Sequence, residues 1–398
     1  MQLRYSYRLD PAPAQREALA RAFGCARVVF NDALAVRQAA YEAGEPYIAD
    51  KEMSAWLTAV KSTPERAWLG EVSSVVLQQA LADLNAAYRN FFISVTGRRK
   101  GLKIAPPRFR PRKDRRQAIR FTKNSRFRVL DNGRLRLPRI GDVAVRWSRR
   151  LPTDPSSVTV IRDAAGRYFA SFVVEVSPRP LPRSDAECGI DLGLGHFVVL
   201  DDGTKVTAPR FLRQAEKKLK RAQRDLSRKQ KGSSNREQAR VRVARAHAKA
   251  ADARRDFHHK LSTAIIRENQ AVTVEDLAVK GLARTRLAKS VHDAGWSAFV
   301  SMLEYKAELY GREFRRIGRF EPTSQVCSAC GVKDGPKPLH IREWICAVCG
   351  AVHDRDVNAA KNIAALGRRD AQNARGGQVR PAATLAQAGE AGSLRGAA

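Results

Sequence analysis

Two Cys-x2-Cys pairs separated by fifteen residues, Cys327 with Cys330 and Cys346 with Cys349, constrain this chain more than any other feature. Each pair is followed by a glycine, Gly331 or Gly350, as in a metal-binding knuckle. Four thiolates at this spacing make a closed tetrahedral zinc site. A closed site leaves no position for substrate, so the ion is structural and folds the loop around it. A redox Cys-x2-Cys is the alternative, and the second pair at this distance argues against it. The other two cysteines, Cys25 and Cys188, are single and read as small core residues.

Acids in apolar surroundings give the second signal. Cys188-Gly189-Ile190-Asp191-Leu192-Gly193 places a carboxylate in an apolar strand between glycines, where burial is expensive without a compensating positive charge. A lone Asp there reads equally well as a turn cap. Eighty-four residues on, Ala271-Val272-Thr273-Val274-Glu275-Asp276 again closes a β-branched strand with an acid, and a helix pattern follows at Trp296, Phe299, Val300, Leu303, Ala307 and Tyr310. After another 81 residues, His353-Asp354-Arg355-Asp356-Val357-Asn358 sets acids at the start of a short helix, where either aspartate alone could serve as an N-cap. Together, Asp191, Glu275 and Asp356 suit two Mg²⁺ or Mn²⁺ ions that cleave a phosphodiester. The neighbours Asp276 and Asp354 are the alternative ligands. An RNase H-like α/β fold supplies three acids in this order, from its first strand, fourth strand and last helix.

Charge names the partner class. The 398 residues carry 73 Lys and Arg against 40 Asp and Glu, a formal charge of +33. A compact fold this basic repels itself unless it meets a polyanion, so nucleic acid is expected. Two segments concentrate the charge. Residues 98–120 hold eleven basic residues and one acid, with Pro106, Pro107 and Pro111 barring a long helix. Residues 211–260 hold 17 basic residues and five acids on a helical hairpin broken at Gly232-Ser233-Ser234. Arg108, Arg110 and Arg112 in the first, and Lys217, Lys218, Arg221 and Arg224 in the second, are candidate phosphate contacts. Phe109 either packs or stacks on a base.

The remaining pattern sets the organisation. Leu3, Tyr5, Tyr7 and Leu9 alternate as a strand, and helical spacing runs over 15–44 and 73–92. Short strands are expected within 134–147, 157–162 and 168–176, and with the first strand they make one small β-domain with helices inserted. No apolar run reaches membrane length and residues 1–13 lack a secretory core, which predicts a cytoplasmic, nucleoid-associated protein. Residues 368–398 are poor in large apolar side chains and are expected to be a disordered tail.

The segments GIDLGLGHFVVLDDG, RKQKGSSNR, VTVEDLAVKGL, LAKSVHDAGW, LEYKAELYG, TSQVCSACG, REWICAVCG and HDRDVNAAKNI together resemble the TnpB (OrfB) family of transposon-encoded proteins. YRLDPAPAQ, FGCARVVFN, LQQALADLNAAYRNFF and PPRFRPRKDRR extend the likeness more loosely to the N-terminal half. The resemblance implies an RNA-guided DNA endonuclease. Its partners would be a guide RNA from the transposon end and target double-stranded DNA beside a short adjacent motif. It matches Asp191, Glu275 and Asp356 to the acids of a RuvC nuclease domain, and the four cysteines to an inserted zinc ribbon. The implied layout is a small wedge β-barrel over 1–10 and 105–180, with a helical recognition lobe inserted at 11–104. RuvC follows over 181–325 and 351–367, with the ribbon at 326–350. A nuclease-inactive RNA-guided regulator and a strand-transferring transposase are the rival readings. All three acids are present, which disfavours the first rival, and the ribbon with this motif order disfavours the second.

Overall fold

The computed structural model describes residues 1–99, 101–338 and 340–374. The chain divides into two compact units, residues 1–177 with 219–248, and residues 178–218 with 249 onward.

In the first unit, strand β1 (Gln2–Asp10) buries Tyr7 and Leu9 as its alternation predicts, and Pro11 ends it. Three helices follow: α1 (Pro13–Glu42), α2 (Asp50–Val60) and α3 (Ser74–Val95). Pro13 suits the first helical position, where its missing N–H has no helix partner to lose, and the Gln15 side chain accepts the Ala12 N–H. The strands β2 (Gln117–Thr122), β3 (Arg128–Val129), β4 (Leu135–Leu137), β5 (Gly141–Arg146), β6 (Ser157–Arg162) and β7 (Tyr168–Glu175) complete a sheet ordered β2-β6-β7-β1-β5-β4-β3. Among the described residues this sheet ends at β2 on one side and β3 on the other, an order compatible with a half-barrel.

Helices and sheet share one core. Leu19, Phe23 and Phe30 of α1 and Leu77, Leu81 and Leu84 of α3 are buried in the same cluster as Phe121, Val158, Val160 and Phe172. The inserted helices and the strands thus belong to one compact unit.

The second unit is built on β8 (Glu187–Asp191), β9 (His196–Leu200) and β10 (Lys205–Thr207). The helices α4 (Phe211–Ser227) and α5 (Ser234–Glu268), whose residues 219–248 belong to the first unit, the strand β11 (Ala271–Glu275), and the helices α6 (Val279–Leu282), α7 (Ala288–Ala294) and α8 (Trp296–Tyr310) follow. The strands β12 (Glu313–Ile317), β13 (Glu343–Ile345) and β14 (Val352–Asp354) and the helix α9 (Arg355–Ala374) finish it. The main sheet runs β10-β9-β8-β11-β12, with β8–β11 and β11–β12 parallel and the other pairs antiparallel. Cys188, Ile190, Val272 and Val274 face a core shared with α5 and α8. Buried Lys306 of α8 donates to His259 O, Ser262 Oγ and Thr263 Oγ1 of α5, each at 2.7 Å, and burial lowers its pKa to about 8.

Gly189 and Thr273 point to the other face of the sheet, where α9 lies. A Cβ on Gly189 would fall inside the contact distance of Ala360 O and Ala364 N, and one on Gly367 would meet the Thr273 side chain. Helix and sheet touch backbone to backbone there, as only glycine permits. Gly189→Ala is accordingly expected to destabilise the second unit by about 1–3 kcal/mol, the range for overpacking. Denaturant melts check this, and a variant as stable as the parent would show that α9 moves freely.

Two expectations need correction. The helix after Asp356 is not short but twenty residues long, and residues 368–374, expected as tail, are its last turns. Just before them Gly367 seats on Thr273, and at their start Arg368 pairs with Glu187 at 4.0 Å. Residues 375–398 lie outside the described residues. Among the described residues no helix is long and apolar enough to cross a membrane. Cys25 and Cys188 are both buried core residues.

Candidate functional site

Strand pairing brings the first two acids together. In the parallel β8–β11 register Ile190 stands opposite Val274, so the next residues, Asp191 and Glu275, close adjacent strands at the same carboxyl-terminal edge. Both follow the alternation of Gly189 and Thr273 toward the α9 face. Because Ala360 and Ala364 of α9 rest on Gly189, the preceding turn carries Asp356 to that edge.

The electrostatics agree. Burial first, then the charges of Glu275 and Asp356, push the Asp191 carboxyl up to about 7, and burial raises Glu275 as well. The alternatives are occupied elsewhere. Asp276 pairs with Arg319 at 2.5 Å. Asp354 pairs with Lys205 at 2.5 Å and caps α9, its Oδ1 accepting the N–H groups of Asp356 and Val357 at 3.1 and 3.0 Å. Burial alone would raise Asp354, but Lys205 and these amides outweigh it and hold its pKa down. Arg342 approaches Asp356 Oδ1 at 3.5 Å. Among the described residues only the four cysteines gather three or more donor atoms within 4.8 Å of one another, so the three carboxylates are not all within that distance.

A pH effect follows. The folded state binds the Asp191 proton more tightly than the unfolded chain, so metal-free stability from this group falls as pH rises from about 4 to about 7. Asp191→Asn should therefore melt a few degrees above the parent at pH 8 in chelator, with the gap closing near pH 4. Equal melting points at pH 8 would mean that Asp191 ionises without cost.

The four cysteine sulfurs lie mutually within 4.8 Å, and the cluster fits a zinc site. Cys327 and Cys346 are buried with Trp344 in a small separate core, while Cys330 and Cys349 are exposed. Asn358 and Asn362 of α9 donate to the Val326 carbonyl at 2.8 and 2.7 Å, tying the first knuckle to the helix that bears Asp356.

Residues 171–286 match the OrfB_IS605 family described as "Probable transposase", 296–363 a "Cas12f1-like, TNB domain", and 1–46 a "Helix-turn-helix domain". In this chain that last stretch is β1 and α1. A Streptomyces pristinaespiralis protein named "Putative RNA-guided DNA endonuclease" is 44% identical over 95% of this chain and 92% of its own. The chain belongs to the TnpB (OrfB) family. InsQ of Escherichia coli (strain K12), of the same designation, is 32% identical over 91% of this chain and 92% of its own. A structure described as "Cryo-EM structure of the Cas12f1-sgRNA-target DNA complex" shares the fold, with a TM-score of 0.53 and 14% identity, covering 87% of this chain and 82% of that one.

The basic residues of this TnpB-family chain fall on two surfaces. Lys217, Lys218, Arg221 and Arg224 are exposed along one face of α4. Separately, within the first unit, a cleft of about 740 Å³ is lined by Arg112, Lys113 and Arg115, by the β6–β7 turn, and by Lys231, Arg236 and Arg240. It brings the two basic segments together. Arg236 donates to the Leu226 and Lys229 carbonyls and Arg240 pairs with Glu237, whereas Arg112, Lys113, Arg115 and Lys231 form no ion pair among the described residues. Arg108 is exposed outside the cleft. Arg110 is engaged internally, stacked 3.7 Å over Phe30 and paired with Asp83 at 3.4 Å, so it anchors the segment to α1 and α3. Exposed Phe109 stands beside it. Sequence reasoning missed Lys205, Arg319 and Arg342, whose positions depend on tertiary contact. It also missed Asn358 and Asn362, although two amides four residues apart in an alanine-rich helix are a legible sign of a buried polar contact.

Proposed function

We propose that this chain is an RNA-guided DNA endonuclease that cuts target duplex DNA at Asp191, Glu275 and Asp356. One observation carries the reading. Those three acids gather at the carboxyl edge of β8 and β11 and the start of α9, while Asp276 and Asp354 are each held in an ion pair at 2.5 Å and Arg342 stands 3.5 Å from Asp356. Hard carboxylate oxygens gathered at one strand edge fit Mg²⁺ or Mn²⁺. When bound, two such ions activate a water and stabilise the leaving 3′-oxygen of an in-line displacement. Asp191 and Glu275 are oriented by the sheet, Asp356 by α9, and Lys205 keeps Asp354 in its capping role.

The order β10-β9-β8-β11-β12 with α9 across one face supports an RNase H-like, RuvC-type domain for 181–325 and 351–367, with a zinc ribbon at 326–350. We assign 1–10 and 105–180 to the wedge and 11–104 to the recognition lobe. The guide RNA runs along the basic surfaces, its phosphates contacted by Arg108, Arg112, Lys217, Lys218, Arg221 and Arg224. Protein purified from cells carrying its own locus should hold a transposon-end RNA and cut a plasmid library at matching sites beside one short motif. RNA-free protein, or random cutting, would overturn the reading.

Neutralising Lys217, Lys218, Arg221 and Arg224 together, or Arg112, Lys113, Arg115 and Lys231 together, should weaken RNA binding. The log K against log salt slope should become shallower by about 0.7–0.9 per lost phosphate contact. Sequence preference should barely change, because phosphate contacts position without reading bases. Salt-series binding curves that superimpose on the parent's would remove that surface from the RNA path.

A further inference from the structure

His353 sits where the ribbon joins the catalytic helix. It is 8% exposed, pairs opposite Trp344 between β13 and β14, and packs its ring 4.7 Å from that indole. Its Nε2 lies 3.0 Å from Cys327 Sγ. The next residue, Asp354, caps α9 through the Asp356 and Val357 amides. From the other side, Asn358 Oδ1 accepts the Ser328 N–H at 2.9 Å, and Asn362 Nδ2 donates to Thr323 O at 2.7 Å. The first knuckle is thus gripped by side chains that bracket Asp356 in sequence.

We propose that His353 is a positioning residue: it donates its Nε2 hydrogen to the metal-bound Cys327 thiolate and so fixes the start of the helix carrying Asp356. A ligating sulfur is a charged acceptor, and a hydrogen bond to it both orients the ligand and draws charge from it. A merely space-filling imidazole would need no such approach and could be replaced by another ring. The link to catalysis rests on the nuclease reading, whereas the bond to Cys327 does not.

The test compares His353→Phe, which keeps a ring and loses the donor, with His353→Gln, which keeps a donor. With Co²⁺ in the ribbon, the thiolate-to-cobalt charge-transfer bands should move to lower energy in the Phe variant and stay at the parental position in the Gln variant. Metal retention against a chelator should fall about tenfold or more in the Phe variant only. For cleavage, the half-saturating Mg²⁺ concentration should rise in the Phe variant with guided DNA binding unchanged, and Gln should restore it. Parental bands and parental metal retention in the Phe variant overturn the proposal. If that variant does not fold, the Gln variant decides, a parental band supporting the bond and a displaced one refuting it. A parent that does not cut would sink the nuclease reading, while the cobalt spectra would still decide the His353–Cys327 bond.

Discussion

Asp191→Ala, Glu275→Ala and Asp356→Ala should each lower cleavage in Mg²⁺ by about a thousandfold or more, with guided DNA binding kept nearly intact. On the proposed reading each removes a donor for ions that contribute several kcal/mol to the transition state, and none removes a phosphate contact. The neighbours supply the control. Asp276 and Arg319 form a half-exposed pair of little energetic weight, so Asp276→Ala should cut almost like the parent. Asp354→Ala loses a helix cap, at a cost of about 1 kcal/mol, and should lower the rate far less than the three ligands do. Single-turnover cleavage by the five variants measures this. Near-parental cutting by any of the first three would remove that residue from the site.

Loss of the ribbon's metal should have the other large effect. Structural zinc contributes roughly 10–16 kcal/mol in small zinc-finger peptides, comparable with the whole stability of a domain. The separate ribbon core of Cys327, Trp344 and Cys346 is too small to stand without it. Cys327→Ser or Cys346→Ser should therefore lose stoichiometric zinc and lower the melting temperature by roughly 10 °C or more. Elemental analysis beside thermal melts checks both. A parent that is folded and active without zinc would contradict the assignment.

Local pattern made much of this legible. β-Branched runs marked β6, β7 and β11 almost to the residue, and the Gly232-Ser233-Ser234 break marked the turn between α4 and α5. The acids stood out because a carboxylate ending an apolar strand is rare without a purpose. What stayed hidden depends on contacts distant in sequence. Asp354 and Asp356 look alike until Lys205, 149 residues before Asp354, takes one of them. Residues 368–374 read as tail until Gly367 meets Thr273. Arg110 reads as a phosphate contact until Phe30 and Asp83 claim it. Composition likewise gave no sign that the N-terminal helices and sheet share a core.

Guided cleavage is the central claim, and exchanging the guide tests it most directly. The protein is assembled on its own transposon-end RNA with only the target-matching segment replaced, and mixed in Mg²⁺ with two plasmids. One plasmid matches the original guide and the other the new one, each beside the same adjacent motif. The account predicts that the cut moves entirely to the plasmid matching the new guide, and that Asp191→Ala abolishes it. A cut that stays on the original plasmid, falls on both, or persists without RNA would contradict it.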